Sequence, residues 1–116
     1  MNTEQVAQEV VKLIRAGKNG EVKDAFYADH IVSIEGNGDT LEGIDAIQKK
    51  NAEWGVQIAE VHSASCSDPL VAADHFSLHI KMDITYKNGY RGVRDEIAVY
   101  EVKDGKIAAE QFFFKS

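Results

Sequence analysis

Between His75 and Thr85 the chain alternates for eleven residues without a slip. Even positions carry Phe76, Leu78, Ile80, Met82 and Ile84; odd positions carry His75, Ser77, His79, Lys81, Asp83 and Thr85. A two-residue period belongs to a β-strand, because successive side chains of a strand point to opposite faces, whereas a helix repeats every 3.6 residues. The stretch is therefore a long strand with one apolar face. Its other face gathers two histidines, a lysine and a carboxylate, and is either solvated or lines a polar cavity.

The remaining pattern is α+β. Residues 3 to about 16 read as a helix, with Thr3 as its cap, an apolar stripe of Val6, Val10, Val11, Leu13 and Ile14, and Gly17 as its stop. A second short helix runs from Asn19 through Val22, Ala25, Phe26 and Tyr27, and a strand follows at Ile31–Glu35. The Gly36-Asn37-Gly38-Asp39 segment is a turn, Thr40–Glu42 a short strand, and Gly43–Gly55 a helix with Ile44, Ile47 and Trp54 inward. After Gly55 four strands are expected, at Val56–Ser67, Val71–Lys87, Tyr90–Lys103 and Lys106–Lys115. Asn88-Gly89 and Asp104-Gly105 are hairpin turns whose backbone twist suits antiparallel neighbours. Helices first and a meander after them form a single domain over residues 1–116, with the sheet burying one face on the helices.

Composition narrows the function. A formal net charge of −6 disfavours nucleic acid, since phosphate binding needs a basic surface. No run of 18 apolar residues is present, so no membrane span is expected. The start, Met-Asn-Thr-Glu-Gln, lacks the features of a signal peptide, and the lone Cys66 excludes an internal disulfide. A cytoplasmic location is the expectation.

Tyr27-Ala28-Asp29-His30-Ile31, Leu41-Glu42-Gly43 and Tyr100-Glu101-Val102-Lys103-Asp104-Gly105-Lys106-Ile107, in this order of elements, resemble the SnoaL-like branch of the nuclear transport factor 2-like superfamily. The resemblance covers essentially the whole chain. It implies a cone-shaped barrel in which N-terminal helices pack in a strongly curved, mainly antiparallel sheet. It further implies a pocket at the wide end and homodimers joined through the outer sheet face. Activities in the superfamily include isomerases, epoxide hydrolases, cyclases and dehydratases beside non-catalytic binders.

Carried over residue by residue, the resemblance puts Glu35 where ketosteroid isomerases hold their general base. The isomerases' two oxyanion donors would fall at Val11 and near Ala98, which removes that activity. Lys81 and Asp83 match the Arg-x-Asp pair of limonene-type epoxide hydrolases, but the second aspartate of that site would fall at Phe112. Polyketide cyclases also place an acid near Phe112. If Asp83 faces inward as that match implies, His75, Ser77, His79, Lys81 and Thr85 share its face. The apolar even set would then cover the outside and suit a dimer interface. The opposite parity buries the even set and leaves the polar one in water, and both arrangements stay open.

Glu96 shares a strand face with Tyr100, and Glu110 shares one with Phe112 and Phe114. A carboxylate among aromatics must pair or shift its pKa upward. Glu35, Asp83, Glu96 and Glu110 are thus the candidate acids and bases. His62, Tyr100, Trp54, Lys81 and Phe112 are candidate substrate contacts, with His62 at the rim. Phe112-Phe113-Phe114 puts rings on both sheet faces, and nothing near Cys66 activates its thiol. His75 and His79 on a strand lie about 13 Å apart, too far to share an ion, so no metal is expected. The chemistry expected is cofactor-free isomerisation, cyclisation or hydration of a small organic molecule. The alternative is a ligand-binding or protein-interaction module in which the carboxylates only pair with Lys81 and Arg94.

Overall fold

The computed structural model describes residues 1–114. Its first helix, α1 (Thr3–Arg15), starts one residue earlier in its capping than expected: Asn2, not Thr3, is the cap. Asn2 Oδ1 accepts from the Gln5 amide at 2.8 Å, and Gln5 Oε1 accepts from the Asn2 amide at 2.9 Å. This reciprocal box satisfies two amides that the first helical turn leaves open. At the other end Gly17 adopts φ 74°, and the Lys18 amide reaches back to Leu13 O at 2.9 Å. That left-handed turn is what a glycine after a helix supplies. Val6, Ala7, Val10 and Val11 form the buried stripe of α1.

Helix α2 (Asn19–Phe26) passes without a loop into β1 (Tyr27–Ile34), which therefore starts four residues before the expected strand. Tyr27 pairs in register with Ile107, and the ladder shifts before resuming at Val32. β2 (Thr40–Glu42), α3 (Ile44–Gly55) and β3 (Ile58–Cys66) follow. The expected Val71–Lys87 strand is two strands, β4 (Leu70–Ala72) and β5 (His75–Tyr86), because the chain reverses at Ala73-Asp74. Ala73 sits there at φ 54°, a left-handed position with no glycine or asparagine to announce it. β6 (Arg91–Lys103) and β7 (Lys106–Phe114) complete the fold; Lys115, expected to end β7, lies outside the described residues.

The sheet runs β2-β1-β7-β6-β5-β3, with β4 also on β5. All pairings are antiparallel except β1 with β7. Three helices and a curved, mainly antiparallel sheet make the α+β cone, and the sheet stays open rather than closing into a barrel. No helix among the described residues is long and apolar enough to cross a membrane.

β5 settles the parity question. Phe76, Leu78, Ile80 and Ile84 are buried and Met82 is half-buried, whereas His75, His79 and Lys81 are exposed. The inward-facing Asp83 implied by the epoxide-hydrolase match is corrected, and with it the apolar outer face. Burying five large apolar side chains gains about 25 cal/mol per Å². Turning the strand over would instead strip water from Lys81, Asp83 and two histidines. Phe76, Leu78 and Ile80 share one core with Val6, Ala7, Val10 and Val11 of α1, Ala98, Tyr100 and Val102 of β6 and Ile107 of β7, and Met82 packs against it.

This parity predicts an asymmetry between adjacent residues. Leu78→Ala, at a site 1% exposed, should lower stability by about 2–5 kcal/mol in urea unfolding. His79→Ala, on the outer face, should change it by no more than about 1 kcal/mol. Equal losses would overturn the assignment of faces.

Candidate functional site

Between the helices and the inner sheet face lies a cavity of about 470 Å³. Helix α3 forms one wall with Ile47, Lys50, Asn51 and Trp54, which the helical repeat places on one side. The opposite wall is the inward set of three strands: Ile80 and Met82 of β5, Arg94, Glu96 and Tyr100 of β6, and Glu110, Phe112 and Phe114 of β7. Register orders them. Tyr100 pairs with Glu110, Ala98 with Phe112 and Glu96 with Phe114, while Arg94 lies beyond them opposite Met82. A wider hollow beside α2, lined by Lys18, Glu21, Lys23 and Asp24 among others, opens to solvent and presents mostly exposed groups.

Glu110 is the most deeply placed acid, only 4% exposed. The Tyr27 hydroxyl donates to its Oε2 and the Ser33 hydroxyl to its Oε1 at 3.0 Å. Burial raises its pKa above the usual carboxylate range, and the two hydroxyl donors pull part of that rise back. Tyr27 and Tyr100 are pushed well above the usual phenol value, first by burial and then by the charge of Glu110. The Tyr100 ring stacks on Phe76 at 4.8 Å and meets Phe112 edge-on at 6.5 Å, which fixes its place in the wall.

The other two acids have cationic partners. Glu35, just past the end of β1, forms an ion pair with Lys50 of α3. Glu96, 7% exposed, accepts from Arg94 Nε at 3.1 Å. The Arg94 guanidinium in turn lies over the Trp54 ring at 5.1 Å and over Phe114 at 4.3 Å. The cavity therefore holds one buried acid supported by hydroxyls, two ion pairs, and aromatic walls.

Of the residues singled out from sequence, Glu35, Glu96, Glu110, Tyr100, Trp54 and Phe112 line this cavity. Asp83, Lys81 and His62 do not. Asp83 is held on the outer face by a two-pronged contact with Arg91, at 3.0 and 2.9 Å, and the Arg91 hydrogen bonds lower its pKa. His62 bonds Thr85 Oγ1 at 2.7 Å and lies near Glu60, and Lys81 is exposed. Sequence reasoning missed Tyr27, Ser33 and Lys50. The spacing of Lys50 from Ile47 and Trp54 carried the signal for Lys50. Burial raises the pKa of the Cys66 thiol, as an unreactive cysteine requires.

Asp74, His75 and Glu101 are the one group among the described residues whose possible metal-ligating atoms all lie within 4.8 Å of one another. It is on the surface, away from the cavity, and the His75 ring nitrogens already face the two carboxylates at 2.8 and 3.6 Å.

The state of Glu110 is visible in stability. A raised folded-state pKa means that the folded chain holds this proton more tightly than the unfolded chain. Its contribution is full below the unfolded value of about 4.3 and is lost as pH rises through the folded value. Glu110→Gln, which keeps the shape without the ionisation, should flatten the loss of stability that unfolding midpoints show above about pH 4.3. An unchanged pH profile would show that Glu110 does not carry it.

The chain matches the SnoaL-like domain model over residues 1–114. No curated protein matches it. Among solved structures, a protein of Mesorhizobium loti assigned provisionally as a SnoaL-like polyketide cyclase is 33% identical, with a TM-score of 0.91 over 97% of this chain and 99% of that one. A Catenulispora acidiphila protein with a ketosteroid isomerase-like fold, in complex with trimethylamine, is 14% identical with a TM-score of 0.76 over 98% and 88% of the two chains. TerC, co-crystallised with polyporic acid, is 14% identical with a TM-score of 0.75 over 95% and 92%. The last two likenesses establish the fold alone. With a family model spanning nearly its whole length and a 33% identical relative covered end to end, this chain belongs to the SnoaL-like domain family.

Proposed function

We propose that the cavity binds a small organic molecule and transfers protons on it without a cofactor. The observation that carries this reading is the pairing of unlike acids around one space. Glu110 is buried and its pKa is raised by that burial, while Glu35 stands at the same cavity in an ion pair with Lys50. Two carboxyl groups held in unlike environments around one space are an arrangement that acid–base chemistry uses. Glu35 is the base in this reading. Glu110 is the acid that returns a proton to a developing oxyanion, and the Tyr100 hydroxyl donates to the same oxygen. Trp54 and Phe112 hold the apolar body of the molecule, and Glu96 fixes Arg94. Isomerisation, cyclisation and hydration all fit this arrangement.

Deuterium uptake at carbon tests it directly. Enolisable ketones and β-keto acids, incubated with the protein in heavy water, should exchange their acidic C–H faster than buffer alone. Glu35→Gln and Glu110→Gln should each slow that exchange by about 10²–10⁴-fold. Asp83→Asn, on the outer face, should leave it unchanged. Binding of the same compounds without exchange would favour the rival reading, a non-catalytic binder. The Arg94–Glu96 contact supports that rival, whereas Lys81 forms no ion pair among the described residues.

The proposal includes a cytoplasmic homodimer joined through the outer sheet face. Val93, Ile97 and Phe113 are 62%, 43% and 51% exposed there, with Ile97 directly opposite Phe113 on neighbouring strands. Such a cluster on an otherwise polar face suits a second copy. Light scattering should give a mass near twice 12.8 kDa, and Phe113→Asp should halve it. A monomeric wild type would overturn this part.

A further inference from the structure

We propose that Arg94 is the ligand-reading residue of the cavity, and that it selects flat molecules carrying a carboxylate. The inference rests on the reading of the cavity as a small-molecule site and adds the class of molecule that enters it.

The argument begins with the hydrogen-bonding capacity that the cavity leaves unused. Glu35 is engaged by Lys50, and Glu110 by Tyr27 and Ser33. Glu96 takes only the Nε hydrogen of Arg94. Among the described residues, the two terminal nitrogens of that guanidinium have no hydrogen-bond partner, and the side chain is 25% exposed. They form the open end of a planar fork whose hydrogens match both oxygens of a carboxylate. The Tyr100 hydroxyl, deeper in the same cavity, also makes no hydrogen bond among the described residues. The cavity thus offers an open fork near its exposed end and a hydroxyl donor inside.

Orientation adds selectivity. Glu96 holds the guanidinium by Nε while the Trp54 and Phe114 rings lie against it, so its in-plane edge is the part left for a ligand. A lysine in that place would keep the charge and lose the fork. Trp54, Phe112 and Phe114 then favour a flat, conjugated body. A cationic ligand fits less well, because the aromatic faces that would attract it already carry the Arg94 charge.

Three probes of one shape test this on the full chain by calorimetry: trans-cinnamate, cinnamamide and cinnamylamine. The wild type should bind cinnamate about tenfold tighter than cinnamamide, with the amine weakest. Arg94→Gln should bring the ratio of cinnamate to cinnamamide affinity close to one, and Arg94→Lys should retain only part of the preference. If Arg94→Gln does not fold, because Glu96 is left buried without its partner, Arg94→Gln/Glu96→Gln removes both ends of the pair and serves instead. Equal binding of acid and amide by the wild type, tighter binding of the amine, or a preference that survives loss of Arg94 would overturn the role of Arg94 and leave the cavity reading standing. Failure of all three probes to bind would overturn both.

Discussion

The inner face of the cone depends on one alternation carried across three strands. On β5 the apolar even-numbered side chains turn toward α1, and the antiparallel register sets even residues of β5 opposite even residues of β6, and those opposite even residues of β7. Ile80, Glu96 and Phe114 therefore form one row and Phe76, Tyr100 and Glu110 another. Burial of the β5 hydrophobes thus carries Glu96 and Glu110 inward with them. A register slip of one residue would send every one of these groups to the opposite face. The stability of the core and the content of the cavity are consequences of the same pairing.

Inward acids must then be accommodated, and the structure does so with two kinds of partner. Glu110 is surrounded by Tyr27, Ser33 and Tyr100, which are hydroxyls rather than cations, and burial raises its pKa. Glu96 and Glu35 are met by Arg94 and Lys50. Long cationic side chains can reach such positions while keeping part of their length in water, as the 41% exposure of the Lys50 side chain illustrates. The acids of the cavity therefore differ in the partners that meet them, hydroxyls for Glu110 and cations for Glu35 and Glu96.

Much of this was legible in the chain itself. Uninterrupted alternation, the Asn-Gly and Asp-Gly turns and the apolar stripe of α1 are local signals, and the elements they mark are present. Glu96 and Glu110 were readable as neighbours of Tyr100 and Phe112 by parity alone. Three features were not. The reversal at Ala73-Asp74 uses a left-handed alanine, which local turn chemistry does not announce. Tyr27 ends an apparently helical run, so its partnership with Glu110, 83 residues away, is a tertiary fact. Asp83 and Lys81 were drawn inward by similarity to another site, and the hydrophobic demand of β5 outweighed it. Arg94 was legible by the same parity as Glu96, but a charged residue two places from an acid reads on a strand as a solvated pair until the aromatic rings around it are known.

Those rings tie Arg94 to the turn that carries Glu35. Gly36 follows Glu35 in the turn closed by the Glu35 amide on Asp39 O at 2.8 Å, and a side chain added there would sit 2.7 Å from the Phe114 ring. Its lack of one lets Phe114 lie directly on the turn that carries Glu35. The same ring supports the Arg94 guanidinium, which also rests on Trp54 of α3, one helical turn beyond Lys50. Glu35, Gly36, Phe114, Arg94, Trp54 and Lys50 thus form a continuous set of contacts that returns to Glu35 through its ion pair with Lys50. In such a ring the positions of Glu35 and of the Arg94 guanidinium are set by shared packing, because the one Phe114 ring lies against both the turn after Glu35 and the guanidinium.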